Sequence, residues 1–264
     1  MVGPKLSHER PIALDIYFKP AMFGIFDRLW FLALTALSLI AVFVFFVWFP
    51  NADIAASMLF YDAGTCGEAA LCGGFRMALS RNYIVLRSVF YGLPFIVLVG
   101  IVLNNTVVFI KHKIPFWQDM PVISAIIASL ILSPGLIVNM FLKYYVLRPR
   151  PRDVVIFGGD FPFVPVGQWH GMCAGNCSFV SGEASLAPFM VFAVLLFPKN
   201  WQKPALAILL PASIAMALLR VVFGAHYLSD VMLGYGITIL VFCVLAQIST
   251  RFNSTGVKQR DVSL

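Results

Sequence analysis

The sequence predicts an all-α membrane protein with six transmembrane helices, and three observations carry that expectation. Of its 264 residues, 60% are hydrophobic and only 12% charged, about half the charge of a typical soluble domain. The mean hydropathy is +0.89. The apolar residues fall in long uncharged runs, and a run of about 20 such residues crosses the hydrocarbon of a bilayer as a helix.

Residues 1–28 read as a cytoplasmic or interfacial N-terminal segment. They have no early apolar core of a cleavable signal, and Pro4, Pro11 and Pro20 interrupt them. The stretch 11–28 mixes Ile12, Leu14, Ile16, Tyr17 and Phe18 with Asp15 and Lys19. It reads either as a segment lying on the membrane surface or as a basic tail. Residues 29–250 form one six-helix domain. Uncharged runs at 29–50, 88–110, 120–142 and 231–250 are long enough to span; two shorter ones, 184–198 and 204–219, end against Glu183 and Arg220. Two long loops, 51–82 and 152–180, are rich in Gly, Pro and Cys, and long ordered loops often carry function. Residues 251–264 are a polar cytoplasmic tail.

The net charge of +7 does not point to nucleic acid, because the basic residues are scattered through short loops. That scatter follows the positive-inside rule. Placing both termini in the cytoplasm puts the larger share of the 19 Lys and Arg residues inside. The exception is an outer cluster at Lys143, Arg148, Arg150 and Arg152. Cysteine use agrees with this orientation. Cys66, Cys72, Cys173 and Cys177 fall in outer loops, while Cys243 lies inside the last helix. In an oxidising compartment three pairings of the four are open. Cys66–Cys72 with Cys173–Cys177 is favoured, because each bridge needs only its own loop to fold; free thiols remain the alternative.

Three motifs meet on the outer side. "KYYVLRPRPR", 143–152, carries Lys143 and Arg150. "SGE", 181–183, opens the fourth helix. "RVVFGAHYLSD", 220–230, carries Arg220, His226 and Asp230. Ionisable groups at a membrane mouth are costly and mark function. Arg presents a planar fork that fits phosphate oxygens, and Lys adds a point charge. Ser181 and Gly182 at a helix N-terminus add backbone N–H groups suited to an anion. The expected ligand is therefore a phosphate group. His226 and Asp230 are four apart; on one helix they share a face, so Asp230 would hold one imidazole nitrogen and free the other to attack phosphorus. The four histidines, His8, His112, His170 and His226, make no metal-ligand spacing, so neither a metal nor a cofactor is expected.

These residues resemble the type 2 phosphatidic acid phosphatase superfamily: K-x6-RP at Lys143 to Pro151, SG at Ser181 and Gly182, and R-x5-H-x3-D at Arg220 to Asp230. The likeness covers roughly residues 50–250. It implies a metal-independent lipid phosphatase with six helices, sited in a bacterial inner membrane. The active site would lie at the periplasmic mouth, with a lipid phosphate reaching it from the outer leaflet. It implies that Lys143, Arg150, Ser181, Gly182 and Arg220 bind phosphate. His226 would form a phosphohistidine, and Asp230 would orient it. Bacterial members act on lipid A, phosphatidylglycerophosphate or undecaprenyl pyrophosphate. The departure is Glu183, where the family has a His that protonates the leaving group. That acidic residue points toward lipid A phosphatases.

Three readings of Glu183 stand: a general acid, an ionised strut pairing with Arg or Lys, or a damaged site. His170 reads as a substitute acid or as a plain loop residue. Arg148 and Arg152 read as contacts to a large anionic headgroup, or to solvent and lipid phosphates. An anionic-lipid carrier would use the same basic pocket but leaves the His226–Asp230 spacing unexplained. A haloperoxidase-like oxidase shares the constellation but does not suit a membrane.

Overall fold

In lipid a run such as Leu29–Trp48, 20 residues without a charge, can satisfy its backbone only by helix formation, and it does so as α1. The computed structural model describes residues 23–64, 73–112, 120–169, 171–173, 175 and 177–261. Among these, five helices are long and apolar enough to cross a membrane. No strand forms among the described residues, only the isolated bridges Asp62–Gly74 and Val154–Phe161.

The expected outer loop 51–82 contains two helices, α2 (Asn51–Met58) and α3 (Arg76–Leu79). α4 (Arg81–His112) begins before the apolar run and so carries Arg81 and Arg87. α5 (Met120–Leu130) widens into a π-helix, Ile131–Leu142, that contains Pro134. A proline removes a backbone donor and crowds the preceding turn, which accounts for the looser winding. α6 (Lys143–Val146) follows, and Leu147 ends it in the left-handed region with φ 51°. Pro149 and Pro151 then hold the chain extended.

The expected fourth span, 184–198, is not one helix. Pro188 divides it into α7 (Gly182–Leu186) and α8 (Phe189–Ala193), and the 3-10 turn Val194–Leu196 closes it. α9 (Lys199–Val222) carries Pro204 and Pro211. α10 (Leu228–Asp261) continues past residue 250. Cys173 and Cys177 form a disulfide; Cys66 and Cys72 lie outside the described residues, as do residues 1–22.

α10 runs through the middle, packed most extensively on α1 and then on α7 and α5. At one end Phe192 stacks on Phe242 at 3.9 Å between ring centres, with Phe26 edge-on to both. Nearer the other end Val138, Val146, Phe179, Val180 and Leu233 form a second cluster. Between them, Ser133 and Thr238 hydroxyls meet at 2.7 Å, and Thr238 donates to the Ser185 carbonyl at 2.9 Å. This buried chain stitches the π-helix, α10 and α7 without any charge.

Candidate active site

The three motifs converge at one end of the bundle because each lies where a helix begins or stops there. Lys143 opens α6, and Arg150 follows it in extended backbone. Ser181 caps α7, its hydroxyl accepting from the Ala184 N–H at 3.3 Å, and Gly182 and Glu183 form the first turn. Arg220 lies in the last turn of α9, and Asp230 lies in the first of α10. The five-residue α7 is much shorter than the helix the sequence suggests.

His226 is not on a helix with Asp230. It sits in the turn before α10, where its N–H and that of Ala225 donate to the Arg220 carbonyl at 3.2 and 3.1 Å. Gly224 makes this turn at φ 58° under the ring of Phe75, which a Cβ would meet at 2.3 Å. The Arg152 N–H donates to the Gly224 carbonyl at 3.1 Å, tying the first motif to the third.

The His226 ring is 2% exposed. Its Nδ1 lies 2.6 Å from the Ser178 carbonyl oxygen. A carbonyl only accepts, so Nδ1 carries the hydrogen and Nε2 keeps its lone pair. Burial pushes the imidazole well below its usual range, and the charges of Arg220, Arg150 and Lys143 push it further. It is a neutral base with a lone pair, set close to three cations.

The expected direct Asp230–His226 contact is replaced by an indirect one. Asp230 Oδ1 accepts from Arg148 at 2.8 Å, and Oδ2 accepts from the Ser178 hydroxyl and from the Tyr227 N–H at 3.0 Å. Asp230 thus fixes Ser178, and Ser178 holds the histidine.

Arg148 is not available to a headgroup. It is 0% exposed. Its Nη2 pairs with Asp53 at 2.9 Å, Nη1 donates to the Ser229 hydroxyl at 2.9 Å, and Nε donates to the Val164 carbonyl at 2.7 Å. Its guanidinium lies 4.1 Å from the Tyr227 ring centre. Asp53, on α2, also accepts from the Ser229 N–H at 2.8 Å. Burial pushes the Asp53 carboxyl up against the opposite pull of Arg148. Sequence reasoning did not find Asp53, because nothing in a loop sequence says which acid turns inward. Arg152 remains on the surface, 3.7 Å from Asp153. His170 lies outside the described residues.

Glu183 is held by two arginines. Arg87 Nε lies 3.2 Å from both carboxylate oxygens and its Nη2 closes on Oε1, while Arg220 Nη1 reaches Oε2 at 3.2 Å. Both oxygens therefore accept from guanidinium groups, so Glu183 pairs with arginines of two different helices. Arg87 also escaped the sequence reading. The signal was there, a charge on the doorstep of an apolar run at residue 88. Beside this pair a cavity of about 380 Å³ opens, lined by Arg87, Asn139, Lys143, Gly182 and Glu183 among others. Gly182 keeps it open: a Cβ there would meet Asn139 Oδ1 at 2.9 Å and Lys143 Nζ at 3.5 Å. Asn139 is itself anchored to the Pro134 carbonyl at 2.6 Å, inside the π-helix. Among the described residues no group of three or more His, Cys, Asp or Glu gathers as a metal site would require.

The profile of the PAP2 superfamily matches residues 121–254. The chain belongs to the PAP2 superfamily. It is 37% identical over 202 residues to a lipid A 4'-phosphatase of Rhizobium leguminosarum, covering 75% of this chain and 87% of that protein. A lipid A 4'-phosphatase of Rhizobium etli is 36% identical over 202 residues, 75% of this chain and 79% of its own. One from Francisella tularensis subsp. novicida is 32% identical over 210 residues, 78% and 86% of the two chains. No solved structure matches. In this PAP2 chain every expected site residue from Lys143 to Asp230 falls inside the matched span, whereas Asp53 and Arg87 fall outside it.

Proposed function

We propose that this PAP2-superfamily protein is a lipid phosphatase that removes the 4'-phosphate of lipid A. The observation that carries the reading is the neutral, buried His226, held through Nδ1 beside the Arg220, Arg150 and Lys143 charges. Likeness to three lipid A 4'-phosphatases over most of the chain supports the choice of lipid.

In this reading the phosphate enters the cavity beside Lys143 and Gly182. Lys143, Arg150 and Arg220 neutralise its oxygens, and the Gly182 N–H at the start of α7 adds a donor, while the Ser181 N–H is held by the Asp230 carbonyl at 3.1 Å. His226 Nε2 attacks phosphorus; the P–N bond forms as the P–O bond to the sugar breaks. The sugar oxygen takes a proton from water in the open cavity, and water then cleaves the phosphohistidine. Asp230 and Ser178 keep the imidazole in the reactive tautomer throughout.

We place the protein in a bacterial inner membrane with both termini cytoplasmic and the site facing the periplasm, a reading that rests on the distribution of Lys and Arg among its loops. We take Gly182–Leu196, apolar but shorter than the five helices long enough to cross, as the sixth crossing. Broken at Pro188 and closed by a 3-10 turn, it falls short of the roughly 20 residues that a straight helix needs to span a bilayer. The site at its start is therefore recessed into the membrane, within reach of a lipid headgroup from the side.

The deciding experiment is phosphate release by purified protein from lipid A, phosphatidylglycerophosphate and undecaprenyl pyrophosphate, with His226→Ala as control. Release from the 4' position of lipid A, lost in the variant, is expected. No release from any lipid phosphate would favour an anionic-lipid carrier.

A further inference from the structure

The Glu183 carboxylate occupies a position that a phosphate would compete for. It is a carboxylate bridging two guanidiniums from different helices, Arg87 on α4 and Arg220 on α9. It does so in the wall of the cavity that it lines together with Arg87, Lys143 and Gly182. We propose that Glu183 is a displaceable counterion: it holds Arg220 while the site is empty and yields Arg220 to the incoming phosphate, and Arg87 is the residue that keeps Glu183 when it lets go. This inference rests on the lipid phosphatase reading of the site.

The two contacts are unequal. Arg87 meets Glu183 through Nε on both oxygens and through Nη2 on one. Arg220 offers Nη1 alone, at 3.2 Å. The Arg220 side chain is 7% exposed, and among the described residues its Nε has no hydrogen-bond partner. One donor of a buried fork, Nε, is thus unused. A carboxylate from that side cannot fill it while both its oxygens are turned to Arg87. A phosphate carries more acceptor oxygens and can engage the fork along both edges.

Leaving Arg220 bare between turnovers would strand an unpaired charge in a poorly solvated place, which is unfavourable. The resting carboxylate removes that cost. When phosphate arrives, the same carboxylate would repel it unless it withdraws. Arg87 makes withdrawal cheap, because its side chain is 46% exposed and can move with its partner. Arg87 is therefore a positioning residue, and it acts on phosphate only through Glu183. A histidine at this position could not serve as a counterion to two arginines.

The test is calorimetric binding of inorganic phosphate to the full-length protein in detergent, for the wild type, Glu183→Gln, Arg87→Gln and the double variant. Glu183→Gln is expected to tighten phosphate about tenfold, the scale of one charge-assisted hydrogen bond. Arg87→Gln should weaken binding about as much while Glu183 is present, since the carboxylate then rests on Arg220 alone. It should have no effect in the Glu183→Gln background. Glu183→Asp, which shortens the reach to Arg220 but keeps the charge, should also tighten binding and serves if the Gln variant does not fold. Unchanged or weaker binding in Glu183→Gln would overturn the counterion role, as expected of a protonated general acid. Equal weakening by Arg87→Gln in both backgrounds would also overturn it, making Arg87 a direct phosphate ligand. If this binding pattern holds but no lipid phosphate is cleaved, the phosphatase reading fails and the counterion stands.

Discussion

The Nδ1 of His226 lies 2.6 Å from the Ser178 carbonyl oxygen, and this contact, not one to Asp230, orients the ring. Asp230 acts one step back, through the Ser178 hydroxyl and the Tyr227 N–H. The histidine is thus set by backbone, and the backbone is set by a buried ion-pair network centred on Arg148.

That placement predicts an unusual acid limb. Burial, with Arg220, Arg150 and Lys143, disfavours the imidazolium, so its pKa falls well below 6.5. As pH drops through that ordinary value His226 stays neutral and able to attack. In kcat/KM, which reports the free enzyme, the loss assigned to His226 should therefore come below pH 6.5 once substrate ionisation has been measured separately and subtracted. A limb at or above that pH would contradict the burial argument.

Arg148 should matter for stability more than any surface arginine. Removing it leaves Asp53 and Asp230, both 0% exposed, without their cation. Breaking one side of a buried pair costs about 3–5 kcal/mol. Arg148→Ala should lower the thermal unfolding midpoint accordingly. Arg152→Ala, on the surface, should stay within about 0.5 kcal/mol of wild type. Equal midpoints for the two variants would show that the network carries no weight.

Gly182→Ala tests the cavity. Its new Cβ would crowd Asn139 Oδ1 and approach Lys143 Nζ. A shift of about 1 Å in a positioned group costs up to about a hundredfold in rate, so kcat/KM should fall by roughly tenfold or more with little change in unfolding midpoint. Adding Asn139→Ala clears the closest contact and should recover part of the loss. No recovery would mean that crowding is not the cause.

Phosphate release should continue in EDTA. The proposed chemistry uses His226 as nucleophile and Lys143, Arg150 and Arg220 as the counter-charge. Activity that EDTA abolishes and an added divalent ion restores would overturn that assignment.

The sequence by itself determined the long apolar helices and which charged residues stand at their ends. Uncharged runs such as Leu29–Trp48 have one solution in lipid, so composition suffices to find them. Lys143, Arg150, Arg220 and His226 stand out because charges at the ends of such runs are rare. What only the tertiary structure decided is which charges meet. Arg148 and Arg150 are two residues apart, yet Arg148 is sealed against Asp53 and Asp230, about 80 to 95 residues away in sequence. Glu183 finds Arg87 across 96 residues. Pro188 breaks the fourth apolar run, and the turn at Gly224 keeps His226 off the helix of Asp230. Hydropathy is a property of one segment, but an ion pair belongs to two helices and depends on how they pack and which faces they turn to each other.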